Sequence, residues 1–272
     1  MPFIETDNTR LFYQDWGTGK PVLFIHGWCV GAGMWEYQTT ALAEEGLRCI
    51  AYDQRGCGRS DDPGRGFDYD TLADDLAAMI DHLDLRDVVL VGHSMGGGVI
   101  AQYFHRHGAH RIAQAVLIAT TTPYLRKSED NPEGIDAAIF DNVIAQLKRD
   151  RPQYIASLAP AFLGEGLPGC NPSPEMTQWV VNLVLQASPR ATIEMARTNS
   201  EADQRAVMAS ITVPTLLIHG DADAGNPVEL TSCKSAELIP RARLKIYENA
   251  EHGLILSHKD QLNQDLLEFI QR

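Results

Sequence analysis

The sequence predicts an α/β fold: a mostly parallel, doubly wound sheet flanked by helices, with a helical insertion late in the chain. Short apolar runs bounded by turn residues recur ahead of longer stretches with helical spacing, the pattern of parallel strands joined by crossover helices. Several of those runs are apolar throughout, as central strands covered on both faces must be. From about residue 123 to residue 210 the strand signals stop, and helical stretches alternate with breakers such as Pro132, Pro152, Pro160, Pro168, Pro174 and Pro189.

Segments 3–6 and 11–15, with Asp7 and Asn8 between them, read as an antiparallel hairpin at one sheet edge. Strands follow at 22–25, 49–52, 88–91, 115–118, 215–219 and 244–247. Between them, 69–83 places Leu72, Leu76, Met79, Ile80 and Leu83 on one face, with Asp70 and Thr71 as the N-terminal cap. Segments 95–107 and 258–270 read as helices in the same way. A structureless loop as long as 123–210 does not suit a compact domain, so this stretch reads as a helical cap over the carboxyl ends of the strands, placed to act as a lid. The expected division is a core of residues 1–122 and 211–272 and a cap of residues 123–210 that is not independent, since its apolar faces have little but the core to pack on.

Of the 272 residues, 44% are apolar and 22% charged, which removes disordered, fibrous and disulfide-scaffold classes. Against 36 acidic residues stand 23 basic ones, a net charge of −13. That sign offers no electrostatic footprint to a phosphate backbone or an anionic bilayer, so neither nucleic acid nor membrane is an expected partner. No apolar run reaches the ~18 to 20 residues that cross a bilayer. Residues 1–10 carry Glu5 and Asp7 with no basic stretch before an apolar core, and do not read as a signal peptide. Cys29, Cys49, Cys57, Cys170 and Cys233 are scattered, without a Cys-x-x-Cys pair, and read as reduced thiols of a cytoplasmic protein. A homo-oligomer is left open.

The strongest local signal is Gly92-His93-Ser94-Met95-Gly96, a G-x-S-x-G directly after an apolar run and before a helical stretch. So tight a turn strains the serine backbone, requires small neighbours two positions either side and pushes the hydroxyl out at the strand end. The helix behind it directs N–H groups and the positive end of its dipole at the same point. A serine hydroxyl is a weak nucleophile until a base takes its proton, and the base needs a carboxylate to fix its tautomer. In chain order Ser, acid, His, the candidates are Asp221 or Asp223 after the strand at 215–219, and His252 after the last strand. All lie past carboxyl ends of strands, where open α/β sheets build their sites.

At this point the chain resembles the α/β-hydrolase family, and within it the small aryl esterases related to cofactor-free haloperoxidases and perhydrolases. The resemblance runs along almost the whole chain, through Asp15-Trp16-Gly17, Phe24-Ile25-His26-Gly27-Trp28, Asp53-Gln54-Arg55-Gly56-Cys57-Gly58-Arg59-Ser60, the turn from Gly92 to Gly98, His219-Gly220-Asp221-Ala222-Asp223 and Glu251-His252-Gly253. It implies Ser94 as nucleophile, Asp223 as acid, His252 as base, and an oxyanion hole from the N–H groups of Met95 and Trp28, with Asp221 structural. It also implies a serine esterase acting on small aryl or alkyl esters or lactones, with no organic cofactor and no metal, and a peracid side reaction in which hydrogen peroxide replaces water. Ala224-Gly225-Asn226-Pro227 departs from the aliphatic residues that relatives carry before this proline, and points to a smaller, more polar lining at Gly225 and Asn226. Phe162 resembles a pocket aromatic of the family, Leu125 and Leu158 stand where aromatics are common, and Cys29 lies beside the expected oxyanion site.

Two other function classes remain open on the same scaffold: a ligand sensor with weak turnover, and a cofactor-free oxygenase that uses the His and Asp and dispenses with the serine. Other features read more plainly. His105, His107 and His110 do not share one helical face and read as solvated, not as a metal site. Neither Gly56-x-Gly58 nor the glycines Gly92, Gly96, Gly97 and Gly98 complete a G-x-G-x-x-G, and no GK[ST] sequence occurs, so a nucleotide is not expected. His93 reads as packed or bonded locally, His26 as shaping the oxyanion loop, and Asp53-Gln54-Arg55 as a buried structural pair at a turn.

Overall fold

The structure, a computed structural model, describes residues 2–271. Its strands, in chain order, are β1 (Phe3–Thr6), β2 (Thr9–Trp16), β3 (Pro21–Ile25), β4 (Arg48–Tyr52), β5 (Val88–His93), β6 (Ile112–Ile118), β7 (Thr215–Gly220) and β8 (Ala242–Tyr247). They form one sheet ordered β1-β2-β4-β3-β5-β6-β7-β8. β1 pairs antiparallel with β2, Phe3 opposite Phe12 and Thr6 opposite Thr9, through a turn whose Asp7 and Asn8 both hold the positive φ that a tight hairpin needs. β2 pairs antiparallel with β4, and every later pair is parallel.

The apolar runs are central for the expected reason. β5 and β7 are buried at every residue and β3 at all but its first, whereas β8, at the edge, exposes Arg243, Lys245 and Ile246. From β3 the chain crosses first to β4 on one side and then to β5 on the other. The winding therefore reverses at the carboxyl ends of β3 and β5, which opens a crevice between their loops.

The helices are α1 (Glu36–Glu44), α2 (Tyr69–His82), α3 (Met95–His107), α4 (Ala137–Phe162), α5 (Pro174–Leu185), α6 (Pro189–Glu201), α7 (Ser232–Leu238), α8 (Leu254–Ser257) and α9 (Lys259–Ile270). The cap of α2 is Asp68, whose carboxylate accepts from Thr71 N–H at 2.9 Å, not Asp70 or Thr71. α1 lacks an apolar stripe because its inward face is partly polar: Gln38 Nε2 donates to Ile255 O at 2.9 Å and Thr39 Oγ1 to Trp35 O at 3.0 Å. Arg55 pairs with Asp75 through two 2.7 Å contacts, not with Asp53. Asp53 instead accepts from Ala32 N–H at 2.6 Å and Arg59 N–H at 2.8 Å, tying down two loops beside the crevice.

Between β6 and β7, α4, α5 and α6 cover this end of the sheet. α4 is interrupted at Asp150, whose carboxylate accepts from Gln153 N–H at 3.1 Å and starts the second half. Pro174 and Pro189, read in the sequence as breakers, begin helices: each is the first helical residue after a serine whose hydroxyl accepts a backbone N–H, Ser173 from Met176 and Ser188 from Ala191. Among the described residues no helix is long and apolar enough to cross a membrane.

Candidate active site

Ser94 sits between β5 and α3 with φ 54° and ψ −123°, a strained conformation held by the sheet on one side and the helix on the other. Its own N–H donates to Ile118 O on the next strand at 2.8 Å. The turn fits because residue 27 is glycine: a Cβ there would stand 2.8 Å from His93 Nδ1 and 2.9 Å from Ser94 Cβ.

Loops after β7 and β8 bring Asp223 and His252 to the same point. His252 Nε2 lies 2.9 Å from Ser94 Oγ, and its Nδ1 2.6 Å from Asp223 Oδ2. An ionised carboxylate only accepts, so Nδ1 carries the proton and the bare Nε2 faces the serine hydroxyl. Burial alone would raise Asp223, but the charges and hydrogen bonds of His252 and His219 outweigh it and hold the carboxyl well below the usual carboxylate range. Burial likewise works to lower His252, and the Asp223 carboxylate outweighs that too, placing its pKa above the ordinary 6.5. Asp221 is turned elsewhere and accepts from Asn249 N–H at 2.7 Å, a turn contact.

The N–H groups of Met95, at the start of α3, and Trp28, in the loop after β3, have no hydrogen-bond partner among the described residues. The Trp28 loop is shaped from below by His26, whose Nε2 accepts from Gln54 N–H at 2.9 Å, so that Nδ1–H donates to Gly27 O at 2.7 Å. Burial lowers the His26 pKa and keeps it neutral in this role. The Trp28 indole donates to Thr192 O at 2.9 Å, linking the same loop to α6.

Above Ser94 is a cavity of about 340 Å³, lined mainly by apolar side chains of the loops and of α4 and α5. Leu125, Leu158, Phe162, Gly225 and Asn226 all line it, Leu158 at a partly exposed position (38%). Cys29 does not. It is fully buried at φ 58°, and its Sγ packs 3.7 Å from Met195 Sδ, so the expectation that it lines the substrate pocket is corrected. The positive φ after Trp28 turns the next side chain into the protein.

Three contributions were not legible as site features. His219 Nε2 lies 2.9 Å from Asn226 O and 3.2 Å from Asp223 Oδ2, while its Nδ1 meets Ser232 Oγ at 2.7 Å. It meets the same carboxylate oxygen as His252 does, and the only hint was its place in the His219-Gly220-Asp221-Ala222-Asp223 run. His93 is not bonded locally: its Nε2 donates to the backbone oxygen of His252, 159 residues away, at 2.8 Å. Thr121, Asn199 and Ser200 form a polar wall of the cavity, with no pattern in the sequence to announce it. Elsewhere, His107 Nε2 lies 2.8 Å from Asp74 Oδ1, a partner the sequence did not suggest.

A model of the alpha/beta hydrolase fold family matches residues 20–259. A non-heme haloperoxidase of Rhodococcus erythropolis is 41% identical over 273 residues and covers 100% of both chains. A bifunctional esterase/perhydrolase of Acinetobacter calcoaceticus is 36% identical, covering 99% of each. Among solved structures, an esterase from Exiguobacterium antarcticum superposes with a TM-score of 0.94 at 33% identity, over 99% of each chain. With the sheet order, the strained turn at Ser94 and these matches in agreement, the chain belongs to the α/β-hydrolase fold family.

Proposed function

We propose that the protein is a serine hydrolase of small carboxylic esters, lactones included, working through an acyl-enzyme. The observation that carries this reading is the continuous hydrogen-bond line from Ser94 Oγ through His252 to Asp223, opening onto the floor of an apolar cavity. Ser94 Oγ attacks the ester carbonyl carbon while its proton passes to His252 Nε2. The resulting oxyanion is met by the Met95 and Trp28 N–H groups, donors that cost no reorganisation when charge develops. His252 returns the proton to the departing alkoxide, and the imidazolium is stabilised meanwhile by Asp223. Water then attacks the acyl-enzyme with His252 again as base, releasing acid and free serine. Where hydrogen peroxide takes the place of that water the product is a peracid, a reaction supported by the name of the Acinetobacter calcoaceticus relative.

The test is turnover of p-nitrophenyl acetate by wild type and Ser94→Ala, with mass spectrometry of the trapped protein. Release of p-nitrophenol that disappears in Ser94→Ala, and an acetyl group on Ser94, are the expected results. Tight small-molecule binding without turnover of any ester or lactone would replace this reading with a sensor, and oxygen consumption unaffected by Ser94→Ala with an oxygenase.

A further inference from the structure

We propose that Asn199 is a second recognition point in the cavity, donating a hydrogen bond to an uncharged acceptor oxygen on the ester, such as a ketone or ether oxygen, away from the scissile carbonyl. This rests on the ester-hydrolase reading and adds a substrate class to it.

Asn199 lies in the last turn of α6 and lines the cavity. Its Oδ1 is met by two buried hydroxyls, Tyr69 OH at 3.1 Å and Thr121 Oγ1 at 2.6 Å. The amide meets these hydroxyls with its oxygen, which accepts from both and stands at an ordinary O–H···O separation from Thr121. Both hydroxyl protons then have an acceptor, which the flipped amide would deny them.

The Nδ2 group is left with no protein partner among the described residues, and it is not sealed among the buried unpaired atoms. An amide with both N–H bonds free, in a cavity otherwise lined mostly by carbon, gains from an acceptor supplied by the ligand. The pose is prepared by the core. A Cβ on Gly98 in α3 would stand 2.6 Å from the Tyr69 ring, so the missing side chain at 98 gives that ring its place and lets its hydroxyl reach Asn199. The acceptor should be neutral, because no Lys or Arg lines the cavity among the described residues, whereas Asp223 and Glu251 do.

The experiment compares alkyl esters with analogues bearing one oxo group, moved carbon by carbon along the acyl chain and then along the alcohol, reading the acid released. One oxo position should raise kcat/KM about three- to tenfold over the unsubstituted ester, mainly through KM, as one added neutral hydrogen bond would. Asn199→Asp keeps an oxygen for Tyr69 and Thr121 and puts a second oxygen where the donor was, so the advantage should vanish or invert. Asn199→Leu removes both roles, and its melting temperature separates lost folding from lost preference. If wild type hydrolyses no unsubstituted ester, the hydrolase reading falls first. If it does, but no oxo position gains or the gain survives Asn199→Asp, the assignment of Asn199 is overturned while hydrolysis stands. A preference for hydroxyl-bearing analogues that Asn199→Asp retains would also overturn it, since Oδ1 would then face the ligand.

Discussion

His93 donates Nε2–H to the backbone carbonyl oxygen of His252 at 2.8 Å, so the residue just before Ser94 holds the loop that carries His252. The two rings lie 4.9 Å apart between centroids. Burial, aided by the nearby His252, pushes the His93 pKa down to about 3, so this bond does not titrate in the working range. Replacing His93 with Phe keeps a ring and deletes the bond. We expect kcat for p-nitrophenyl acetate to fall by about fivefold to tenfold with KM little changed, the size of one lost neutral hydrogen bond, checked by steady-state kinetics.

The pH profile follows from the Asp223–His252 pair. His252 accepts a proton only when neutral, and its pKa is raised, so activity should be lost as pH falls through a midpoint above 6.5. Asp223→Asn removes the charge that raises it: the limb should move to lower pH, and kcat should fall by about 10⁴-fold as the tautomer is lost. A wild-type limb at or below 6.5 would count against the pairing.

Gly27→Ala tests the packing of the loop after β3 on the turn at Ser94. The new methyl would stand 2.8 Å from His93 Nδ1 and 2.9 Å from Ser94 Cβ, so one loop must move. We expect about 1–3 kcal/mol of destabilisation by denaturant titration. The displaced loop should also cost about 100-fold in kcat.

The Arg55–Asp75 pair ties the loop after β4 to α2, with side chains 0% and 2% exposed. Asp75→Ala leaves a buried guanidinium without its bidentate partner and should cost about 3–5 kcal/mol. In a chain of this size that lowers the melting temperature by about 6–20 °C, measured by calorimetry.

What could be read from the sequence was what local pattern encodes. The central strands are apolar on both faces, and the turn at Ser94 needs small residues at fixed offsets, so both were visible. Asp221, Asp223 and His252 stood out as candidates because each follows a strand in the required order, and the family resemblance, not the spacing, chose Asp223 over Asp221. Hidden features depend on contacts between distant positions: Asn199 meets Tyr69 and Thr121 across 130 and 78 residues, and nothing in the α6 sequence marks it. Cys29 was misplaced because adjacency to Trp28 says nothing of side-chain direction once φ is positive. α1 escaped because buried Gln38 and Thr39 break the apolar spacing by which a helix is recognised.

Gly253 N–H donates to Phe162 O at 2.8 Å, so the end of α4 is fastened to the residue that follows His252. Together with the His93 bond, this rivets the His252 loop between α4 and the sheet. Raising that end of α4 would drag His252 out of line with Ser94. The stretch of α4 before the break at Asp150 lines the same cavity with Phe140 and Val143, yet among the described residues no such backbone bond ties it to the core.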